Sequence, residues 1–141
     1  MEQLIYIDTN VWIDFWEDRR DNIRPLGEFA FQLLKRVYEC KFRVVLSSTV
    51  LKEIYFNYPK DIADSIFKDL RACGKYIEVS YDVQDSSKAE LLSEKYSLPY
   101  DDCLHAVLAN KAGAKYIVTR NIKHFENLAG LAEPKMPEEL L

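Results

Sequence analysis

The chain has 141 residues, a length that suits one domain and is enough for a sheet with helices on both faces. Apolar residues make up 48% and charged residues 30%, and no apolar run reaches the length of a membrane span. The net charge of −4 argues against a general nucleic-acid binder with a basic face, although carboxylates that bind cations carry less negative field than their formal charge implies.

The opening MEQLIYIDTN has no basic segment followed by an apolar one, so it does not read as a secretory signal. Cys40, Cys73 and Cys103 are odd in number and lack a C-x-x-C pair. That pattern argues against a disulfide framework or a zinc ribbon, and the three read as reduced, mostly buried thiols of a cytoplasmic protein.

In chain order, Leu4-Ile5-Tyr6-Ile7 is a strand candidate that ends in Asp8. Leu26, Phe29, Ala30, Leu33, Leu34 and Val37 recur at helical spacing, with Pro25 near the start. Arg43-Val44-Val45-Leu46 is a second strand, followed by Ser47, Ser48 and Thr49. Val50, Leu51, Ile54 and Tyr55 form the next helical stripe, and Ile62, Ile66 and Leu70 another, with Pro59 just before it. Tyr76-Ile77-Glu78-Val79 is a third strand. Ala89, Leu92 and Tyr96 mark a helix that Asp82 is placed to cap. Leu104, Val107, Leu108 and Ala112 mark a helix that Gly113 stops, and Tyr116-Ile117-Val118 is a fourth strand. Leu131–Leu141, with Pro134 and Pro137, adds at most a short edge strand and a terminal turn.

The strand runs lack strict alternation, as expected for strands buried on both faces. Strands alternating with helices predict a three-layer α/β/α domain over residues 1–141, with a central, mainly parallel sheet of four or five strands. In such sheets ligands bind beyond the carboxyl ends of the strands, so polar residues just after a strand are read most closely.

Asp8 sits at such a place. It can cap the following helix, or hold a metal with Thr9 and Asn10 around it. Glu53 lies in the helix after the second strand, off its apolar stripe, where a solvated glutamate is the plain alternative. Asp101 and Asp102 open the helix Cys103–Ala112; acids suit a helix start, and one of them can cap while the other points toward the sheet edge. His105, one turn on, is placed to support Asp102. Thr119 and Asn121 follow the fourth strand and can orient a ligand or a water, and Arg120, Lys123 and His124 can meet phosphate. Isolated acids with no His/Cys cluster favour a hard, oxygen-bound cation over zinc.

Taken together, these segments resemble the PIN-domain ribonucleases, and more narrowly the toxin subunits of VapBC toxin–antitoxin pairs. Tyr6-Ile7-Asp8-Thr9-Asn10-Val11 resembles the first acidic motif, and Ser48-Thr49-Val50-Leu51-Lys52-Glu53-Ile54 the second. Tyr100-Asp101-Asp102-Cys103-Leu104-His105-Ala106 resembles the third, and Ile117-Val118-Thr119-Arg120-Asn121-Ile122-Lys123-His124-Phe125 the fourth. The resemblance spans nearly the whole chain. It implies an endoribonuclease in which Asp8, Glu53 and Asp102 hold Mg²⁺ or Mn²⁺ that activates water for in-line attack, while Thr119 and Asn121 position water or ligands. It also implies an RNA substrate, a small antitoxin and a homodimer, with no membrane. Members commonly carry a further Asp where this chain has Asn121, or just before the Phe that matches Phe125, where it has His124. The fourth acid is therefore missing, or replaced from elsewhere, with Glu126 a candidate.

Other readings fit less well. A haloacid-dehalogenase-type phosphatase needs a second Asp two residues after Asp8, where Asn10 stands. Gly27, Gly74, Gly113 and Gly130 are isolated, so no phosphate-cradling Gly-rich loop exists. A housekeeping RNA-processing nuclease of the same family, or a catalytically weak α/β module that binds RNA or protein, are the alternatives kept. Trp12, Phe15 and Trp16 are candidates for a dimer surface, with core packing expected for at least one.

Overall fold

Buried aliphatic runs separated by amphipathic helices can satisfy their backbones only by pairing side by side, and the chain does this in one sheet. The computed structural model describes residues 2–141. Strands β1 (Gln3–Ile7), β2 (Phe42–Ser47), β3 (Tyr76–Val79), β4 (Tyr116–Val118) and β5 (Glu133–Lys135) lie in the order β3-β2-β1-β4-β5, all parallel. Ile5 pairs with Val44 on one side and Tyr116 on the other, which makes β1 the central strand. Ile5, Ile7, Val44, Val45, Ile117 and Val118 are all buried, which accounts for the absence of alternation in the sequence.

The connections are helical: α1 (Thr9–Glu17) and α2 (Leu26–Tyr38) after β1; α3 (Ser48–Asn57), α4 (Lys60–Ile66) and α5 (Lys68–Cys73) after β2; α6 (Val83–Tyr96) and α7 (Tyr100–Ala112) after β3; α8 (Ile122–Phe125) after β4. The chain moves outward from β1 to β3 and then crosses back to β4. Right-handed crossovers therefore place α1–α5 on one face and α6 and α7 on the other, giving the three layers expected. Asp82 caps α6 by accepting from Asp85 N–H at 2.9 Å, and Asp85 returns the bond to Asp82 N–H at 3.0 Å. The C-terminal segment forms β5 and a 3-10 turn over Pro137–Leu140.

Three expectations change. The stripe Ile62, Ile66, Leu70 is broken into two helices at Phe67, whose ring is buried edge-on against Trp12 with centroids 4.9 Å apart. Trp12 is thereby a core residue, whereas Trp16 is 41% exposed. The thiols are not mostly buried: Cys103 is, but Cys40 and Cys73 are exposed, because each ends a helix at a turn, Cys40 at φ 65° and Cys73 just before Gly74 at φ 70°. All three are free. Finally, α7 begins at Tyr100, so Asp101 and Asp102 both lie inside its first turn and neither caps it. Among the described residues no helix is long and apolar enough to cross a membrane.

Candidate active site

The chain reverses its outward progression between β1 and β4, and the crevice at such a switch point is where parallel sheets bind ligands. Asp8 stands there. Its N–H donates to Val118 O at 2.9 Å, which fixes the end of β1 against β4. Its side chain does two jobs: Oδ1 caps α1 by accepting from Thr9 N–H at 2.8 Å, and Oδ2 accepts from the Thr119 hydroxyl at 2.8 Å. Thr119 is fully buried and accepts in turn from Asn121 N–H at 3.0 Å. The helix-capping and sheet-edge readings of Asp8 thus describe the same side chain.

Glu53 and Asp102 arrive from opposite layers. Ser47 caps α3 by accepting from Val50 N–H at 3.0 Å, and the next turns bring Glu53 toward α7. There Glu53 Oε1 accepts from His105 Nε2 at 2.6 Å, and His105 is only 1% exposed. The same Nε2 is 3.6 Å from Asp8 Oδ1. Asp102, in the first turn of α7, pairs through Oδ2 with His124 Nδ1 on α8 at 2.6 Å. Glu53 is therefore not a solvated helix residue, and each acid is held by a named partner from another part of the fold.

Behind His105 runs a buried relay. His105 Nδ1 and Tyr6 Oη are 2.6 Å apart, and Tyr6 Oη and Ser47 Oγ are also 2.6 Å apart. In either charge state of the ring, Nε2 carries the proton given to Glu53. With Nδ1 bare, Ser47 donates to Tyr6 and Tyr6 to Nδ1; with Nδ1 protonated, both bonds reverse. The ring orientation stays the same in both.

The electrostatics follow from this crowding. Burial pushes the Asp8 carboxyl up, and the charge of Asp102 adds to it; His105, Thr119 and Thr9 pull the other way without cancelling the rise. Burial alone would depress His105, but the hydrogen bond to Glu53 and the charges of Asp8, Glu53 and Asp102 outweigh it, so its pKa is raised. The acids around the ring thus favour its protonated form.

The donor set suits a hard divalent cation: carboxylate and hydroxyl oxygens, and no sulfur. Thr9 Oγ1 and Asn10 Oδ1, beside Asp8, are buried without hydrogen-bond partners, so further oxygens stand unused at this edge. As the side chains lie, no group of three or more His, Cys, Asp or Glu residues among those described is arranged to hold a metal ion. Two imidazoles engage Glu53 and Asp102 instead, and a cation bound by the acids has to displace those contacts or share their oxygens.

The residues after β4 divide sharply. Thr119 faces Asp8, whereas the Asn121 side chain is exposed and contributes only its N–H to the site. Arg120 is engaged within the fold rather than free to meet phosphate. It is largely buried, 2.7 Å from Glu138 and 3.6 Å from Asp14, with its guanidinium 5.9 Å from the centroid of Phe29. Glu126 is exposed in the turn that follows α8. His124, at the place of the expected acid, meets Asp102 rather than phosphate. Tyr6 and Ser47 were not singled out by sequence reasoning. A signal existed for Tyr6: it stands two residues before Asp8, hence on the same side of the chain, as a hydroxyl in the otherwise aliphatic run Leu4–Ile7.

The family model for the PIN domain matches residues 5–131. No curated protein matches the sequence. Several solved structures do. VapBC2 from Rickettsia felis, bound to a DNA fragment from its promoter, is 16% identical with a TM-score of 0.68, the match covering 95% of this chain and 98% of that one. A toxin–antitoxin complex from Klebsiella pneumoniae is 20% identical with a TM-score of 0.66, covering 94% and 97%. VapC20 of Mycobacterium tuberculosis, a toxin that cleaves the sarcin–ricin loop, is 16% identical with a TM-score of 0.63, covering 92% and 97%. At these identities the likeness to the solved structures is one of fold.

Proposed function

The chain belongs to the PIN-domain family, and from that premise we propose that it is a Mg²⁺- or Mn²⁺-dependent endoribonuclease, the toxin of a toxin–antitoxin pair, with residues 1–141 as one nuclease domain. What supports this reading is that Asp8 and Glu53, from separate elements, lie 3.6 and 2.6 Å from the same His105 nitrogen at the switch point of the sheet, with Asp102 near enough for its charge to act on both Asp8 and His105.

Asp8, Glu53 and Asp102 would hold the ion. A bound Mg²⁺ or Mn²⁺ supplies acidified water and charge neutralisation at the phosphodiester. The chain's own groups prepare the place. Thr119 fixes one Asp8 oxygen and the α1 amide fixes the other. His105, held by Tyr6, aims the Glu53 carboxylate. The exposed side chain of Asn121, whose N–H donates to Thr119, would turn inward to orient water or a phosphate oxygen. The partners we propose are RNA, a small antitoxin that covers the site, and a second copy of the chain, in the cytoplasm. Support for the antitoxin comes from two of the structural relatives, which are toxin–antitoxin assemblies. The contact of His124 with Asp102, where relatives commonly have an acid, favours a second reading: a PIN module that binds RNA or protein and turns over weakly.

The test is RNA cleavage by purified protein with Mn²⁺, with Mg²⁺ and with EDTA, beside Asp8→Asn and Asp102→Asn. Metal-dependent cleavage that both folded variants lose supports the nuclease. Equal inactivity of wild type and variants on structured and single-stranded RNAs moves the binding module ahead.

A further inference from the structure

A cavity of about 450 Å³ opens directly beside Glu53, within the range of about 300–1,000 Å³ typical of small-molecule sites. Glu53 forms part of its wall. Phe56 and Lys52 come from the same helix, Tyr81 from the segment before α6, and Tyr100 and Asp101 from the start of α7. Phe56 is 89% exposed, so its ring buries little surface in the fold, and Tyr81 is 43% exposed. Tyr100 is fixed in place, its hydroxyl 2.7 Å from that of Ser86.

We propose that this cavity receives one unpaired base of the RNA next to the scissile phosphodiester, a reading that rests on the ribonuclease function proposed above. Three aromatic side chains around a cleft of this size match the flat faces of a nucleobase, and such stacking tolerates any base. Lys52 supplies the one cation of the lining named above, suited to the backbone that follows the base. Asp101, an acceptor only, matches the N–H donors that every base edge carries. Because Glu53 is both an acid of the candidate site and a wall of the cavity, a base seated here leaves its own phosphate beside the carboxylates. A paired base cannot enter without leaving its stack, so the cavity selects loops and single strands over duplex.

Fluorescence anisotropy of a short labelled single-stranded RNA in EDTA tests this, with intact RNA and with the same RNA carrying an abasic residue at each position in turn. Phe56→Ala and Tyr81→Ala are the variants, and the high exposure of Phe56 makes Phe56→Ala safe for the fold. One abasic position is expected to weaken wild-type binding by about fivefold or more, the lower end of base–aromatic stacking, and Phe56→Ala to erase that difference. Variants that bind intact and abasic RNA as wild type does overturn the proposal. So does a Phe56→Ala variant that dissociates a dimer in sedimentation while binding RNA unchanged, which makes the face a protein interface. Adding Mn²⁺ to the same samples reads cleavage separately. Cleavage without base-dependent binding overturns the cavity and leaves the nuclease; base-dependent binding without cleavage overturns the nuclease.

Discussion

His105 Nε2 lies 2.6 Å from Glu53 Oε1, and the opposite nitrogen of the same ring lies 2.6 Å from the Tyr6 hydroxyl. One imidazole thus couples the central strand to the acid that α3 brings in. Tyr6→Phe keeps the ring volume and removes only the hydroxyl. It leaves the Ser47 hydroxyl and His105 Nδ1 short of a buried partner, at a cost of about 1–3 kcal/mol. With the ring less well held, Mn²⁺ affinity is expected to fall roughly 10-fold, the lower end for groups that orient a metal ligand. Urea unfolding and calorimetric titration with Mn²⁺ measure the two effects. Unchanged affinity with the stability loss assigns Tyr6 a packing role alone.

His124→Asp places a carboxylate where the family resemblance expects one and removes the imidazole from Asp102. Tighter Mn²⁺ binding, or a second bound ion per chain, is the expected result in the same titration. No change in affinity or stoichiometry means that position 124 does not face the cation.

Arg120 is structural in this account. Asp14 is buried, and Arg120→Ala removes one of the two cations that act on it, Arg19 being the other, which is expected to destabilise the fold by about 3 kcal/mol, the lower end for a broken buried pair, in urea unfolding. Because Arg120 meets Glu138 and Asp14 rather than phosphate, a folded variant keeps the wild-type salt dependence of RNA binding. A reduced salt slope places the guanidinium on the RNA instead.

The pairing of α6 with α7 carries a pH signature. Lys111 is 2.7 Å from Asp85 and, with the backbone of Asp82, holds the Asp85 carboxyl below its ordinary value. A depressed folded pKa means stability that is present above the unfolded value of about 3.9 and is lost as pH falls through the lower folded value. Asp85→Asn is expected to cost about 0.5–1 kcal/mol near neutral pH. The difference from wild type should shrink as pH falls below the unfolded value and vanish below the lower folded one. A difference that persists in acid traces to the capping geometry rather than to charge.

Much of the sheet is legible in the sequence because β1, β2 and β4 are buried on both faces, and burial leaves unbroken aliphatic runs. Asp82 is legible as a cap because capping chemistry is local. The break at Phe67 is not, since that ring packs against Trp12, a residue of the distant helix that starts at Thr9. Asp8 and Thr119 can be placed from their position after strands. The partners of Glu53 and Asp102 cannot: they depend on where α7 and α8 pass, and helical periodicity alone marks Glu53 as a surface residue. The cavity beside Glu53 is hidden for the same reason, because its rings come from segments on both sides of β3.

The most direct test of the central claim is anomalous diffraction from crystals soaked in Mn²⁺. An anomalous peak ligated by carboxylate oxygens of Asp8, Glu53 and Asp102, and lost in Asp8→Asn, is expected. Peaks only elsewhere on the surface, or a peak at the site that survives Asp8→Asn unchanged, contradict it.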